Sequence, residues 1–269
     1  MNVYLFELKA QLRGFLAGVI TLIGVAVVFL YGAYPIYRDS KADVQRMIDG
    51  FPPQFAALFG VNKDVFSFGG FYRFSSLYFM LIVAIMACGW GLSIFGREKR
   101  SKAVDFLFVM PASRIRLYAA KLAAGLTLTI AAGMLFLGTV ALIYAQFGDD
   151  PTATSIPLSR LLLAACSLFC VGVLFLSFGA LTAVLLRRIR SVSGIATAFG
   201  VLGFMLVSLP EMTGEEKYRV ISPFTWFNVS EALDHGRYEA GYAGLAAAVA
   251  VLCLTGAAAV YARADARGM

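Results

Sequence analysis

The sequence predicts an all-α membrane protein with six transmembrane helices, and three observations carry that prediction. Of 269 residues, 60% are hydrophobic and 14% charged, with a mean hydropathy of +0.78; a soluble domain is about a quarter charged. Six stretches long enough to cross a bilayer hold no charged side chain. The charges between them fall into basic and mixed segments in alternation along the chain. A water-exposed fold of this size has too little interior for so much apolar surface. Disorder, coiled coil, collagen and a disulfide-stapled secreted fold fail on the same composition. Cys88, Cys166, Cys170 and Cys253 lie within apolar runs and have no CxxC spacing, so they read as small hydrophobes rather than redox or zinc groups.

The predicted spans are Phe15–Tyr34, Phe74–Gly96, Leu122–Gly148, Leu161–Leu186, Ser191–Pro210 and Ala240–Ala262. The third and fourth exceed the roughly 20 residues a bilayer requires and are expected to tilt or project. Only Arg187-Arg188-Ile189-Arg190 separates the fourth from the fifth, which makes a tight basic hairpin. No segment is left for a separate soluble domain, so residues 1–269 are expected to form one membrane domain.

Segments on the side of the N-terminus carry 14 Lys/Arg and four acids, Glu7, Glu98, Asp105 and Asp265. The other side carries nine Lys/Arg and twelve acids in longer loops. The basic side is therefore expected to be cytoplasmic, with both termini inside a multi-pass protein of the cytoplasmic membrane. The net charge of +7 then faces anionic headgroups of membrane lipids, and a nucleic-acid partner is not expected.

Ahead of the first span, Leu5, Leu8 and Leu12 recur at helical spacing among Glu7, Lys9, Gln11 and Arg13. Two readings fit: an amphipathic helix on the inner leaflet, or a plain N-terminal extension of the first span. The span is longer than a signal core and lacks a small-x-small cleavage site, so it is expected to be retained. Gly14 and Gly18 form a GxxxG, a candidate for close helix contact.

In the first outer loop, Val44, Met47, Ile48 and Phe51 share a helical face before Pro52-Pro53, and Phe55, Leu58 and Phe59 form a second. In the last outer loop, Ser222 is expected to cap a helix with Pro223 at its first position and Gly236 at its end. Trp226, Val229 and Leu233 would share one face of that helix, and Thr213 and Glu216 have capping-box spacing upstream.

The inner segment 97–121 is the most informative. Val104, Leu107 and Phe108 make a short apolar stripe beside a basic start, Met110-Pro111 ends it, and Ser113 can cap the helix of the third span. A cytoplasmic amphipathic helix joined by a rigid corner to a spanning helix is suited to passing a push into the membrane. A juxtamembrane anchor for acidic lipid is the other reading. Glu98, Pro111, Arg114 and Lys121, in that order and spacing, resemble the permease subunits of ABC-2 type transporters. The family's Gly-Thr pair after the Glu is replaced here by Lys102-Ala103. Ser222-Pro223-Phe224 before the last span and the charged tail Arg263–Arg267 share the resemblance, which runs over essentially the full length.

Chemistry of other kinds is missing from the sequence. There is no P-loop to hold nucleotide phosphates. The single histidine, His235, sits in a loop without a nucleophile partner. Gly91-Leu92-Ser93 is a fragment of an intramembrane serine-protease pattern but lacks its following glycine, and no metal-ligand spacing occurs. No span interior holds Asp, Glu, Lys, Arg or His, which argues against proton or ion coupling within the chain. The chain is thus expected not to be an enzyme and to bind no cofactor. Phe79, Met80, Met86 and Trp90 on the second span, with Phe199, Phe204 and Met205 on the fifth, are the candidates for lining an apolar pathway.

The resemblance implies the rest: a separate ABC ATPase carrying ATP and Mg, a second permease copy (identical or not), and a docking site at Arg97, Glu98, Lys99, Arg100 and Pro111. Arg114 and Lys121 would position the start of the third span. The implied activity is ATP-driven export of an amphipathic or lipid-like molecule such as a drug, antimicrobial peptide or lipid. The alternatives are a stand-alone facilitator or channel, and a non-transporting anchor or assembly factor.

Overall fold

A computed structural model describes residues 3–42, 45, 46, 50, 66–101, 114–147, 156–210 and 215–263, without the side chains of 98–101 and 216. Every regular element among them is helical. The first is α1, Val3–Ala26, whose buried residues Glu7, Gln11, Phe15, Val19, Leu22 and Ala26 form one stripe. Such spacing keeps one face of a straight helix against its neighbours. The helix runs on through a π-helical stretch, Val27–Ala33, into α2, Tyr34–Asp39. Pro35 explains the change of winding: it has no N–H, and its ring crowds the preceding turn. Of the two N-terminal readings, the structure adopts the extension. Leu5 and Leu12 face outward, and the polar Glu7 and Gln11 face the bundle.

Four long helices follow or close the chain: α3 (Phe68–Ser101), α4 (Arg114–Gln146), α5 (Leu158–Leu185) and α8 (Ala240–Arg263). Between the last two lie α6 (Val192–Met205), prolonged by a 3-10 turn at Leu206–Ser208, a 3-10 segment Glu216–Ile221, and short α7 (Val229–His235). Among the described residues, five helical stretches are long and apolar enough to span a bilayer, and Val192–Ser208 is a shorter sixth. The first is 37 residues, Val3–Asp39, or roughly 55 Å at 1.5 Å per residue. That exceeds a hydrocarbon layer of about 30 Å, so its charged end lies beyond the apolar layer.

Helices α3 and α5 form the centre. No residue between Phe68 and Gly96, or between Leu161 and Val184, is fully exposed; the partly exposed ones on α3, among them Phe74, Tyr78, Ile82 and Ile85, keep to one side of the helix. Their crossing is set by Gly91 and Gly179. A Cβ on Gly91 would lie 2.5 Å from the Leu176 carbonyl oxygen, and one on Gly179 would overlap that of Cys88. Backbone meets backbone there, the arrangement that favours association when lipid removes the hydrophobic drive between helices. The GxxxG of α1 does not serve this purpose: Gly14 has nothing within 4 Å of its Cβ position, and Gly18 meets only the flexible Met86 side chain. The buried hydroxyls of Ser75, Ser167, Ser177 and Thr129 donate to carbonyls of their own helices, which satisfies them without a partner helix.

At the end away from the termini, Tyr34 packs against Phe68, Phe71 and Phe147 at 5.2, 5.8 and 5.4 Å between ring centroids. The last outer loop differs from expectation at its start. Residues 223–226 form a turn, and α7 is capped by Asn228, whose side chain accepts from Ser230 N. The Ser222 hydroxyl donates to the Gly203 carbonyl at 3.0 Å, which ties this turn to α6. Phe224 then stacks on Phe175 at 5.3 Å, in the space Gly203 leaves open. Gly236 ends α7 in the left-handed conformation with φ 66°, as expected. Trp226, Val229 and Leu233 are all buried.

The expected helices at 44–59 and 104–108, the cap at Thr213, Pro111, and the tail beyond Arg263 lie outside the described residues.

The glycine crossing predicts a clear contrast. Gly179→Val is expected to destabilise the purified protein by about 3 kcal/mol through backbone overlap, while Gly14→Ala is neutral or slightly stabilising. Thermal unfolding of both variants in mild detergent measures it.

Candidate functional site

A helix that carries Glu7 into a bundle must find it cations, because an unpaired buried carboxylate is among the costliest groups to bury. Both cations come from the ends of the 97–121 segment. Glu7 is 2% exposed, as is Lys121. Lys121 Nζ donates to Glu7 Oε1 at 2.8 Å and to the Ile94 carbonyl at 2.8 Å. Arg97 Nε lies 3.3 Å from Glu7 Oε2, and neither of those two buried atoms has a hydrogen-bond partner. The second contact is therefore Coulombic, without a hydrogen aimed along it. The Arg97 guanidinium also lies over the Phe6 ring, 5.4 Å from its centroid, a cation–π arrangement.

Two further bonds run beside this junction. Gln11 Nε2 donates to Ser93 Oγ at 2.7 Å, and the Tyr4 and Thr127 hydroxyls are 3.1 Å apart. The first turns of α1 are thus tied to the end of α3 by Glu7 and Gln11, and to the start of α4 by Glu7 and Tyr4. Tyr118 adds α8, donating to the Leu254 carbonyl at 2.7 Å and packing against Phe95 at 5.1 Å. Arg97 and Lys121 lie on opposite sides of residues 102–113, so one carboxylate holds both ends of that segment. The described residues here make an ionic junction that joins α1, α3 and α4.

A protein-family model described as "ABC-2 family transporter protein" matches residues 51–261, which include the whole inner segment and the five helices from α3 to α6 and α8. The chain belongs to the ABC-2 transporter family. It is accordingly a multi-pass membrane component of an ABC transporter, a family whose permeases associate generally with an ATPase subunit. No curated protein and no solved structure gives a significant match.

Within this permease the predicted site residues are distributed as follows. Arg97 and Lys121 meet at the junction. Arg114 opens α4, while the side chains of Glu98, Lys99 and Arg100 lie outside the described residues. Ser222 and Phe224 anchor the last outer loop to α5 and α6. Of the pathway candidates, Phe79 and Met80 are fully buried inside the single-chain bundle, Phe79 packing edge-on to Phe136 at 5.4 Å. Met86 and Trp90 border an apolar cavity of about 10 Å³ together with Leu22, Gly133 and Phe169, room for one water at most. Phe199 stacks on Phe178 at 6.2 Å and Phe204 meets Tyr78 at 5.9 Å. Met205, at 58%, is the exposed one among the seven.

Sequence reasoning missed Glu7 as a partner of the inner segment. The available signal was its register: Glu7 and Gln11 continue, four residues at a time, the stripe that begins with Phe15. It also missed the counterpart of the junction at the end of the bundle away from the termini. There Arg73 of α3 holds the Asp234 carboxylate of α7 at 2.8 and 2.9 Å, and Arg160 Nη1 donates to the Asp234 carbonyl at 2.8 Å.

Removing one partner of a buried ion pair strands the other, at about 3–5 kcal/mol, whereas removing both costs much less. Lys121→Met is therefore expected to lower stability more than the pair Glu7→Gln with Lys121→Met. A double-mutant cycle on unfolding in detergent reads the difference.

Proposed function

We propose that this chain is the permease subunit of an ATP-driven exporter, paired with a separate cytoplasmic ATPase that binds the ATP and Mg. The observation that carries the reading is the attachment of both ends of segment 97–121 to one buried carboxylate. A segment held in this way cannot be displaced without moving α1, α3 and α4 or separating Glu7 from its cations. That is what a docking element must do to turn closure of a partner into a change among spanning helices. Arg97, Glu98, Lys99 and Arg100 form the contact, Pro111 sets the corner, and Arg114 and Lys121 seat the third span. No sequence motif gives the chain hydrolytic chemistry of its own.

Orientation follows from charge: the junction end, with both termini, faces the cytoplasm, and the protein sits in the cytoplasmic membrane. Residues 1–269 act as one membrane domain, and two permease copies, identical or not, form the working unit. The substrate is amphipathic or lipid-like, in keeping with spans that lack charge in their apolar stretches. The route runs between copies, because the cavity beside Met86 and Trp90 is too small to hold such a molecule. The exposed side of α6, with Leu202 and Met205, lines that route.

The test is affinity purification from the native membrane, wild type against a Glu98→Lys, Arg100→Glu double variant. ATPase activity is expected to accompany the wild type and to be lost or uncoupled in the variant. Absence of any copurifying ATPase in several mild detergents would sink the reading, and flux through vesicles holding this chain alone would replace it with a facilitator.

A further inference from the structure

The hairpin between α5 and α6 carries three arginines that the junction does not use. Arg187, Arg188 and Arg190 are exposed, and among the described residues none of them has a hydrogen-bond or ion-pair partner. The residue among them points the other way: Ile189 is 6% exposed and seats its Cδ1 against Gly96, where any Cβ would overlap it. Gly96 immediately precedes Arg97, so the hairpin touches α3 one residue from the ionic junction. Next to the arginines, Leu185 and Leu186 are 59% and 36% exposed.

We propose that this hairpin is a binding site for the headgroup of an anionic phospholipid, with Ile189 carrying occupancy to the base of α3. The connection is four residues long and joins two spanning helices, so its guanidiniums are held at headgroup depth. Unpaired guanidiniums offer bidentate donors to a phosphate, and the adjoining leucines offer an apolar surface to an acyl chain. A protein partner is the poorer fit, because three side chains on a short turn fall far below the roughly 800 Å² per partner of a stable interface. The inference needs a bilayer around these helices but no ATPase, so it stands apart from the exporter reading.

The experiment uses the full chain reconstituted in nanodiscs of phosphatidylcholine with or without phosphatidylglycerol. Native mass spectrometry counts retained phosphatidylglycerol, and the thermal midpoint reports stability. Wild type is expected to retain phosphatidylglycerol over phosphatidylcholine, with a preference falling about fivefold per guanidinium removed. Arg187→Gln, Arg188→Gln and Arg190→Gln together abolish it, leaving the midpoint in phosphatidylcholine unchanged. Ile189→Ala retains the lipid but loses the rise in midpoint that phosphatidylglycerol gives the wild type. Equal retention by the triple variant overturns the site. Displacement of the lipid by millimolar inorganic phosphate overturns it in favour of a free-anion site. Loss of ATPase copurification in the triple variant with unchanged lipid retention reassigns the arginines to protein docking and also overturns it. An unchanged lipid-dependent midpoint in Ile189→Ala overturns the coupling to α3.

Discussion

The buried carboxylate of Glu7 constrains more of this bundle than any other single group. Once it is removed from water it must be matched by cations within contact distance, and the geometry leaves little choice about which. Lys121 comes from the first turns of α4 and Arg97 from the last turns of α3, so the three helices are brought to a common point. The requirement also fixes the rotation of α1. With Glu7 and Gln11 turned inward, the same face delivers Phe15, Val19, Leu22 and Ala26 to the bundle and turns Leu16 and Ile20 toward lipid. One charged residue near the start of the chain therefore sets the register of a helix that is still in contact 27 residues later, at Tyr34.

The middle of the bundle is held by a different force. Between α3 and α5 there are no ions, and hydroxyls are satisfied within their own helices, leaving dispersion and the close backbone contact at Gly91 and Gly179. Such contact has no tolerance for sliding, since a shift along either helix brings a larger side chain against a carbonyl. The ionic contacts at the two ends differ in this respect. They act over longer distances, and Arg97 has not formed an aligned hydrogen bond to Glu7. The interior is held by close packing and the ends by charge.

The spans were legible because a run of about 20 apolar residues is a property of composition, and six such runs were present. Their helical lengths were legible in part: the helix start expected at Ser113 agrees with α4 beginning at Arg114, and the extension reading carries α1 through Lys9 and Arg13, since a helix continues through a charge whenever its backbone bonds can propagate and the charge finds water or a partner. The Ser222-Pro223 pair had the residue types of a helix start, yet it opens a turn fastened to Gly203 of another helix, and Asn228 caps α7. That fastening is tertiary and leaves no local trace. Gly14 and Gly18 matched a pairwise motif, whereas the contact that matters joins Gly91 and Gly179, which are far apart in the chain and show no motif together. Arg97 and Lys121 were picked out by their place in the inner segment, and Glu7 was missed because its partners are distant in sequence.

Helix α3 links the two ionic ends. Arg73 and Arg97 are 24 positions apart on one helix, roughly 36 Å by helical rise, with no proline between them. The interlock at Gly91 and Gly179 joins α3 closely to α5. The smallest rigid unit is therefore the α3–α5 pair, with Arg73 and Arg160 of that pair both holding Asp234 at one end and Arg97 holding Glu7 at the other. In the exporter proposed above, a displacement applied at segment 97–121 would reach the opposite face of the membrane by moving this pair as a body. In such an arrangement the uncharged, closely packed middle is what allows charge at one surface to be read at the other.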